Sequence, residues 1–103
     1  MNDKELLEYA AKAAGIDERR LPDAWPNRFD DDQWNPLIDD GDALRLAVKL
    51  NLIVGVYGSY TNVYLTDVSN KEIVCWNSSC NNDPYAATRR AIVRAAAEIG
   101  RQA

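Results

Sequence analysis

The sequence contains no histidine. That removes the commonest general base near neutral pH and the commonest metal ligand. Ser-His-Asp and Cys-His catalytic arrangements and histidine-based zinc sites are therefore excluded. Cysteine is nearly as scarce. Cys75 and Cys80 are too few for a disulfide scaffold, and a C-x4-C pair with no second pair cannot close a tetrahedral zinc site within one chain. The acidic, polar start Met1-Asn2-Asp3-Lys4-Glu5 is unlike a secretory signal, so two free thiols in a reducing compartment are expected. Apolar runs are short, as in Leu52-Ile53-Val54, against the roughly 20 residues that cross a bilayer. No membrane association and a cytoplasmic location are expected. Glycine-rich phosphate loops are missing as well. Gly55 and Gly58 stand alone, without a P-loop or dinucleotide fingerprint around them, so nucleoside triphosphate hydrolysis is not expected and no cofactor is implied.

What the chain does contain is the composition of one folded domain. Its 103 residues are 47% apolar and 27% charged, which is ordinary for a globular protein. A net charge of −4 argues against general DNA or RNA binding, which needs a basic surface. The charge is unevenly spread. Residues 1–42 carry 12 acids and 5 bases, whereas residues 43–103 carry 4 acids and 7 bases. The two parts are expected to attract each other, or the basic part to face an anionic ligand.

Asn2 followed by Glu5 fits a capped helix start, and Leu6, Tyr9, Ala10, Ala13 and Ala14 recur at helical spacing until Gly15. Residues 1–16 thus read as an N-terminal helix. Residues 17–38 read as an irregular aromatic arm broken by Pro22, Pro26 and Pro36, and Trp25, Phe29, Trp34, Leu37 and Ile38 should pack it across the domain. Asp39, Asp40 and Asp42 stand where a second helix begins, as caps. In the stretch Ala43 to Leu50 only Arg45 and Lys49 are polar, so this helix is expected to be covered on more than one side, by the sheet, another helix, the arm or a second subunit.

Three strand-like runs follow, Leu52 to Tyr57, Asn62 to Val68 and Glu72 to Asn77, joined by turns at Gly58-Ser59 and Ser69-Asn70. Their short connections predict an antiparallel meander with both faces at least partly covered. Asp83 as cap and Pro84 in the first turn predict a last helix running to about Gly100. Tyr85, Thr88, Ile92, Ala95, Ala96 and Ile99 form one face of it. The expected fold class is an α/β (α+β) sandwich of order α-arm-α-β-β-β-α, with residues 39–103 as its core.

Two segments resemble a known family. Trp34-Asn35-Pro36-Leu37 through Asp40-Gly41-Asp42-Ala43-Leu44-Arg45-Leu46-Ala47, and later Asp83-Pro84-Tyr85-Ala86-Ala87-Thr88-Arg89-Arg90-Ala91-Ile92, are similar to the phage ABA-sandwich domain family. The resemblance spans residues 30–103, strongest at its two ends and weakest in the first two strands. It implies a small three-stranded antiparallel sheet held between helical layers, and a tailed-phage or prophage gene expressed in a bacterial cytoplasm. The family carries no assigned activity, so no catalytic residue is implied.

Asp30-Asp31-Asp32 lacks the alternating ligands, glycine and terminal glutamate of a calcium loop, and reads as a solvated acidic loop. Arginines and aromatics remain. Arg45, Arg89, Arg90 and Arg94 offer planar forks suited to phosphate, and Trp34, Trp76 and Tyr85 offer faces on which a base can stack. The same residues also read as core aromatics and surface ion pairs, Arg94 with Glu98 among them. Three functions follow from this inventory. The first is noncatalytic binding of a small anionic nucleotide-type signal of host immunity. The second is a protein-interaction or assembly module, in which the second helix and the arm dock on another copy, as a homo-oligomer, or on a host protein. The third is an enzyme built on Asp40, Asp42 or Asp83.

Overall fold

A computed structural model of the chain describes residues 2–17, 20–21, 33–57, 59–66, 72–79 and 83–102. The chain is an α+β domain of three helices and an antiparallel sheet. Helix α1 spans Asp3–Ala14. The Asn2 side chain caps it by accepting the Glu5 amide at 2.9 Å. At its other end Gly15 adopts a left-handed conformation, and the Ile16 amide returns to the Ala11 carbonyl, a pairing that satisfies the last carbonyls of a helix.

Helix α2 spans Asp40–Lys49. Asp39 caps it, its Oδ2 accepting the Asp42 amide at 2.8 Å. Asn51 ends it in the left-handed region at φ 57°, which asparagine tolerates better than most residues. The Leu52 amide then donates to the Ala47 carbonyl at 2.9 Å. This bond fixes the end of α2 to the start of the sheet. Strand β1 is Ile53–Val56, β2 is Tyr60–Thr66 and β3 is Glu72–Ser79, hydrogen-bonded in the order β1-β2-β3. Val54 stands opposite Val63, and Val56 opposite Thr61, so each pair shares a face of the sheet.

Helix α3 spans Pro84–Gln102. The Asp83 carboxylate accepts the Ala86 amide at 3.0 Å, and Pro84 in the first turn loses nothing by lacking an N–H. A long alanine-rich stretch then favours helix and permits close approach. Ala91, Ala95, Ala96 and Ala97 on α3 are fully buried, as are Ala10 and Ala11 on α1. Helices α1 and α3 form the most extensive contact between elements, and α3 also packs on all three strands and on α2. The core lies around α3, with Leu6, Leu46, Val63, Ile92 and Val93 buried there.

Among the described residues, α3 lies against the sheet, and α1 and α2 pack on α3. Alanine packing brings α1 so close to α3 that it joins the helical layer. Helix α2 buries Asp42, Ala43, Leu46 and Ala47 and leaves Leu44 64% and Val48 68% exposed. The described part of this chain covers one side of that helix. Of the arm, Trp34 is buried in the core, Leu37 is half-buried and Ile38 is exposed. Trp25, Phe29, Asp30, Asp31, Asp32 and Cys80, and the turn residues Gly58, Ser69 and Asn70, lie outside the described residues.

Candidate functional site

The arginine-rich patch expected from the sequence is dispersed by ion pairs. Arg89, on the first half of α3, donates through Nε to the Leu37 carbonyl at 2.9 Å and through Nη1 to Asp40 Oδ1 at 2.6 Å. It therefore pins the start of α2 and the turn before it to α3. Arg90 faces another neighbour and bonds Asp3 at 3.1 and 3.3 Å, joining α3 to α1. Both pairs link the basic part of the chain to its acidic part, as the charge distribution predicts. Arg94 has a partner of its own. Glu98 Oε1 accepts from Arg101 at 2.9 Å.

Arg45 stays local. Its Nη2 lies 2.8 Å from Asp42 Oδ1 and 3.9 Å from Asp39 Oδ2. Asp42 Oδ2 meanwhile accepts the Asn35 amide at 3.0 Å. These groups border a shallow polar depression of about 280 Å³. An anion entering it meets two carboxylates for one guanidinium, and Coulomb repulsion opposes its binding. The acids Asp39, Asp42 and Asp83 act as helix caps or turn anchors, and no cluster of three metal-ligating side chains occurs among the described residues.

The aromatic candidates also separate. Trp34 is 4% exposed within the hydrophobic core, so its ring is not a stacking platform. Trp76 is the β3 partner of Val63, and its side chain lies outside the described residues. Tyr85 is 70% exposed and keeps the face of α3 that carries Thr88 and Ile92.

What the sequence did not reveal is a groove of about 540 Å³ between α2 and β1, bordered by α3, within the roughly 300–1,000 Å³ usual for binding sites. Helix α2 contributes Ala43, Leu44 and Ala47; strand β1 contributes Val54 and Val56; and α3 contributes Thr88 and Ile92. Tyr85 and Arg89 also line it, and Tyr85, Leu44 and Val56 are its exposed apolar groups. Its polar side chains are largely committed. Arg89 is held by Asp40 and Leu37, and the Thr88 hydroxyl donates to the Pro84 carbonyl at 2.7 Å while meeting Thr61 Oγ1 at 3.0 Å. Because Thr88 has spent its single hydrogen on Pro84, Thr61 is the donor between the two hydroxyls.

Backbone groups complete the site. The Tyr57 amide donates to the Tyr60 carbonyl at 2.8 Å. Hydrogen-bonded and non-bonded pairs alternate along an antiparallel ladder. Counted from that bond, Val54 and Val56 turn their N–H and C=O groups to the outer edge of β1, away from β2. Leu52 has the same phase, and its amide meets α2. One signal for the groove was present in the sequence, the excess of apolar residues on α2. No helix among the described residues is long and apolar enough to cross a membrane. No family model, curated protein or solved structure matches the chain.

Proposed function

We propose that this chain is a noncatalytic protein-interaction module that docks an apolar segment of a partner protein in the groove between α2, β1 and α3. The observation that carries this reading is the combination of apolar walls with exposed Leu44, Val56 and Tyr85. Burying such groups against a partner is favourable at about 25 cal/mol per Å² of apolar surface, and aromatic anchors at a pocket are typical of binding hot spots.

The nucleotide-signal reading rests on Tyr85 and Arg89 bordering the same groove. It is second because Arg89 already serves Asp40 and Leu37, so a phosphate must displace both. Two measurements separate the readings. Immobilised chain is expected to retain a protein from bacterial lysate, and Leu44→Asp is expected to abolish that retention. Calorimetry against cyclic nucleotides and nucleotide–ribose signals is expected to be silent. Retention unchanged by Leu44→Asp, or nucleotide binding lost on Arg89→Leu, overturns the interaction reading.

A further inference from the structure

We infer that the occupant of the groove is a β-strand: an extended, alternately apolar segment of a partner protein that adds antiparallel to the outer edge of β1 and carries a basic residue at the groove mouth. This deepens the interaction reading and rests on it.

The first argument is the edge itself. Strand β1 lies at the end of the sheet order, and among the described residues no element pairs with its outer side. Proteins usually protect such an edge with lysine, proline, an inward charge or a bulge. Ile53-Val54-Gly55-Val56 has no charge and no proline, and its register with β2 is regular. The outward N–H and C=O groups of Val54 and Val56 instead lie at the edge of two residues that line a groove with apolar walls. A helix or a compact ligand filling it would take water from these backbone groups without replacing their hydrogen bonds, which is costly. A strand replaces them, and its alternate side chains enter the apolar space beside Leu44 and Ile92.

The second argument is charge. The bond from Leu52 to Ala47 closes one end of the groove, so a strand enters from the other, near Val56, Tyr85 and Asp40. Asp40 lines the groove with its side chain 67% exposed, and exposed Asp83 adjoins Pro84 of the same wall. Among the described residues that line the groove, Arg89 is the one base set against them. The imbalance favours a lysine or arginine on the incoming strand. In the antiparallel sense that residue precedes the apolar ones, because β1 runs towards the mouth.

The test uses the full chain and a probe hexapeptide, acetyl-Lys-Val-Thr-Val-Thr-Val-amide. Binding is expected to slow hydrogen exchange at the Val54 and Val56 amides at least about tenfold, as burial in a ladder does. Val56→Pro removes an outward amide that the β1–β2 ladder does not use, a placement edge strands tolerate, and is expected to weaken binding about tenfold. N-methylation of alternate probe residues tests the same bonds without altering the protein. One alternation is expected to abolish binding and the other to preserve it. Replacing the probe lysine with glutamate is expected to weaken binding about threefold, as for an exposed ion pair.

A probe that does not bind, that binds without protecting Val54 and Val56, or that tolerates both methylation patterns equally overturns the strand. So does light scattering that shows a dimer whose formation is abolished by Leu44→Asp, since the occupant is then a second copy. The underlying reading fails on a different result, retention of the lysate protein unchanged by Leu44→Asp. Loss of that retention beside a silent probe removes the strand alone.

Discussion

Gly100 of α3 lies directly against the backbone of Tyr9 in α1: a Cβ built on Gly100 would stand 1.9 Å from the Tyr9 carbonyl oxygen. Backbone cannot move aside as a flexible side chain can. Gly100→Ala is therefore expected to force the two helices apart and to cost about 3 kcal/mol or more, a large share of the stability of a small domain. Urea denaturation checks it, and a loss below about 1 kcal/mol would show that the helices shift without resistance.

Asp42 is a buried carboxylate whose two oxygens serve different donors, the Asn35 amide and the Arg45 guanidinium. An asparagine side chain in its place would turn an NH2 group towards one of those donors. Asp42→Asn is expected to destabilise the fold by about 1–3 kcal/mol. Arg45→Met leaves the Asn35 bond intact and removes a largely exposed guanidinium, so its cost should not exceed about 1 kcal/mol. Thermal denaturation of the two variants should rank them in that order.

Neighbouring arginines on α3 should respond differently to lysine. The Arg89 side chain is 18% exposed and uses two nitrogens on two acceptors, a geometry an ammonium group cannot copy. Arg89→Lys is expected to cost about 1–2 kcal/mol, as the loss of a charge-assisted bond does. Arg90 meets Asp3 at the surface, and Arg90→Lys should change stability by less than about 1 kcal/mol. Equal effects in chemical denaturation would mean that the Leu37 contact of Arg89 contributes nothing.

Trp34 offers the clearest contrast between packing and ligand binding. It is buried in the core, so Trp34→Ala should cost about 3–5 kcal/mol through the cavity it leaves. Leu44→Lys and Tyr85→Ser alter exposed groups and should shift stability by no more than about 0.5 kcal/mol while weakening partner binding. Calorimetric unfolding beside the binding assay separates the two classes.

The parts of this fold legible in the sequence are those set by local chemistry. Asn2, Asp39 and Asp83 cap the helices they precede, because capping needs only the next few residues. The buried position of Trp34 agrees with the high cost of leaving an arm tryptophan in water. Less legible was anything that depends on how elements lean. Tyr85 has helical spacing with Thr88 and Ile92, but spacing does not say that it is 70% exposed at the rim of a groove. Leu44 and Val48 read as covered, and apolar spacing does not say whether that cover comes from the same chain. The groove combines both difficulties. Its walls come from α2 and β1, neighbours in sequence, and from the distant α3, and the strand edge beside it is made of backbone atoms that every sequence possesses.

The central position of α3 has a consequence for how the chain is made. Synthesis proceeds from the N-terminus, so α1, α2 and the strands leave the ribosome before the helix on which all of them pack. Until that helix emerges, the alanine face of α1 and the inner face of the sheet have no surface to close against. Burial of these faces is therefore a late event, dominated by contacts far apart in sequence, whose loop closure slows folding relative to local contacts. In the interval the uncharged edge of β1 stands open beside unburied valines, and this is where a nascent chain is most exposed to mispairing with its neighbours.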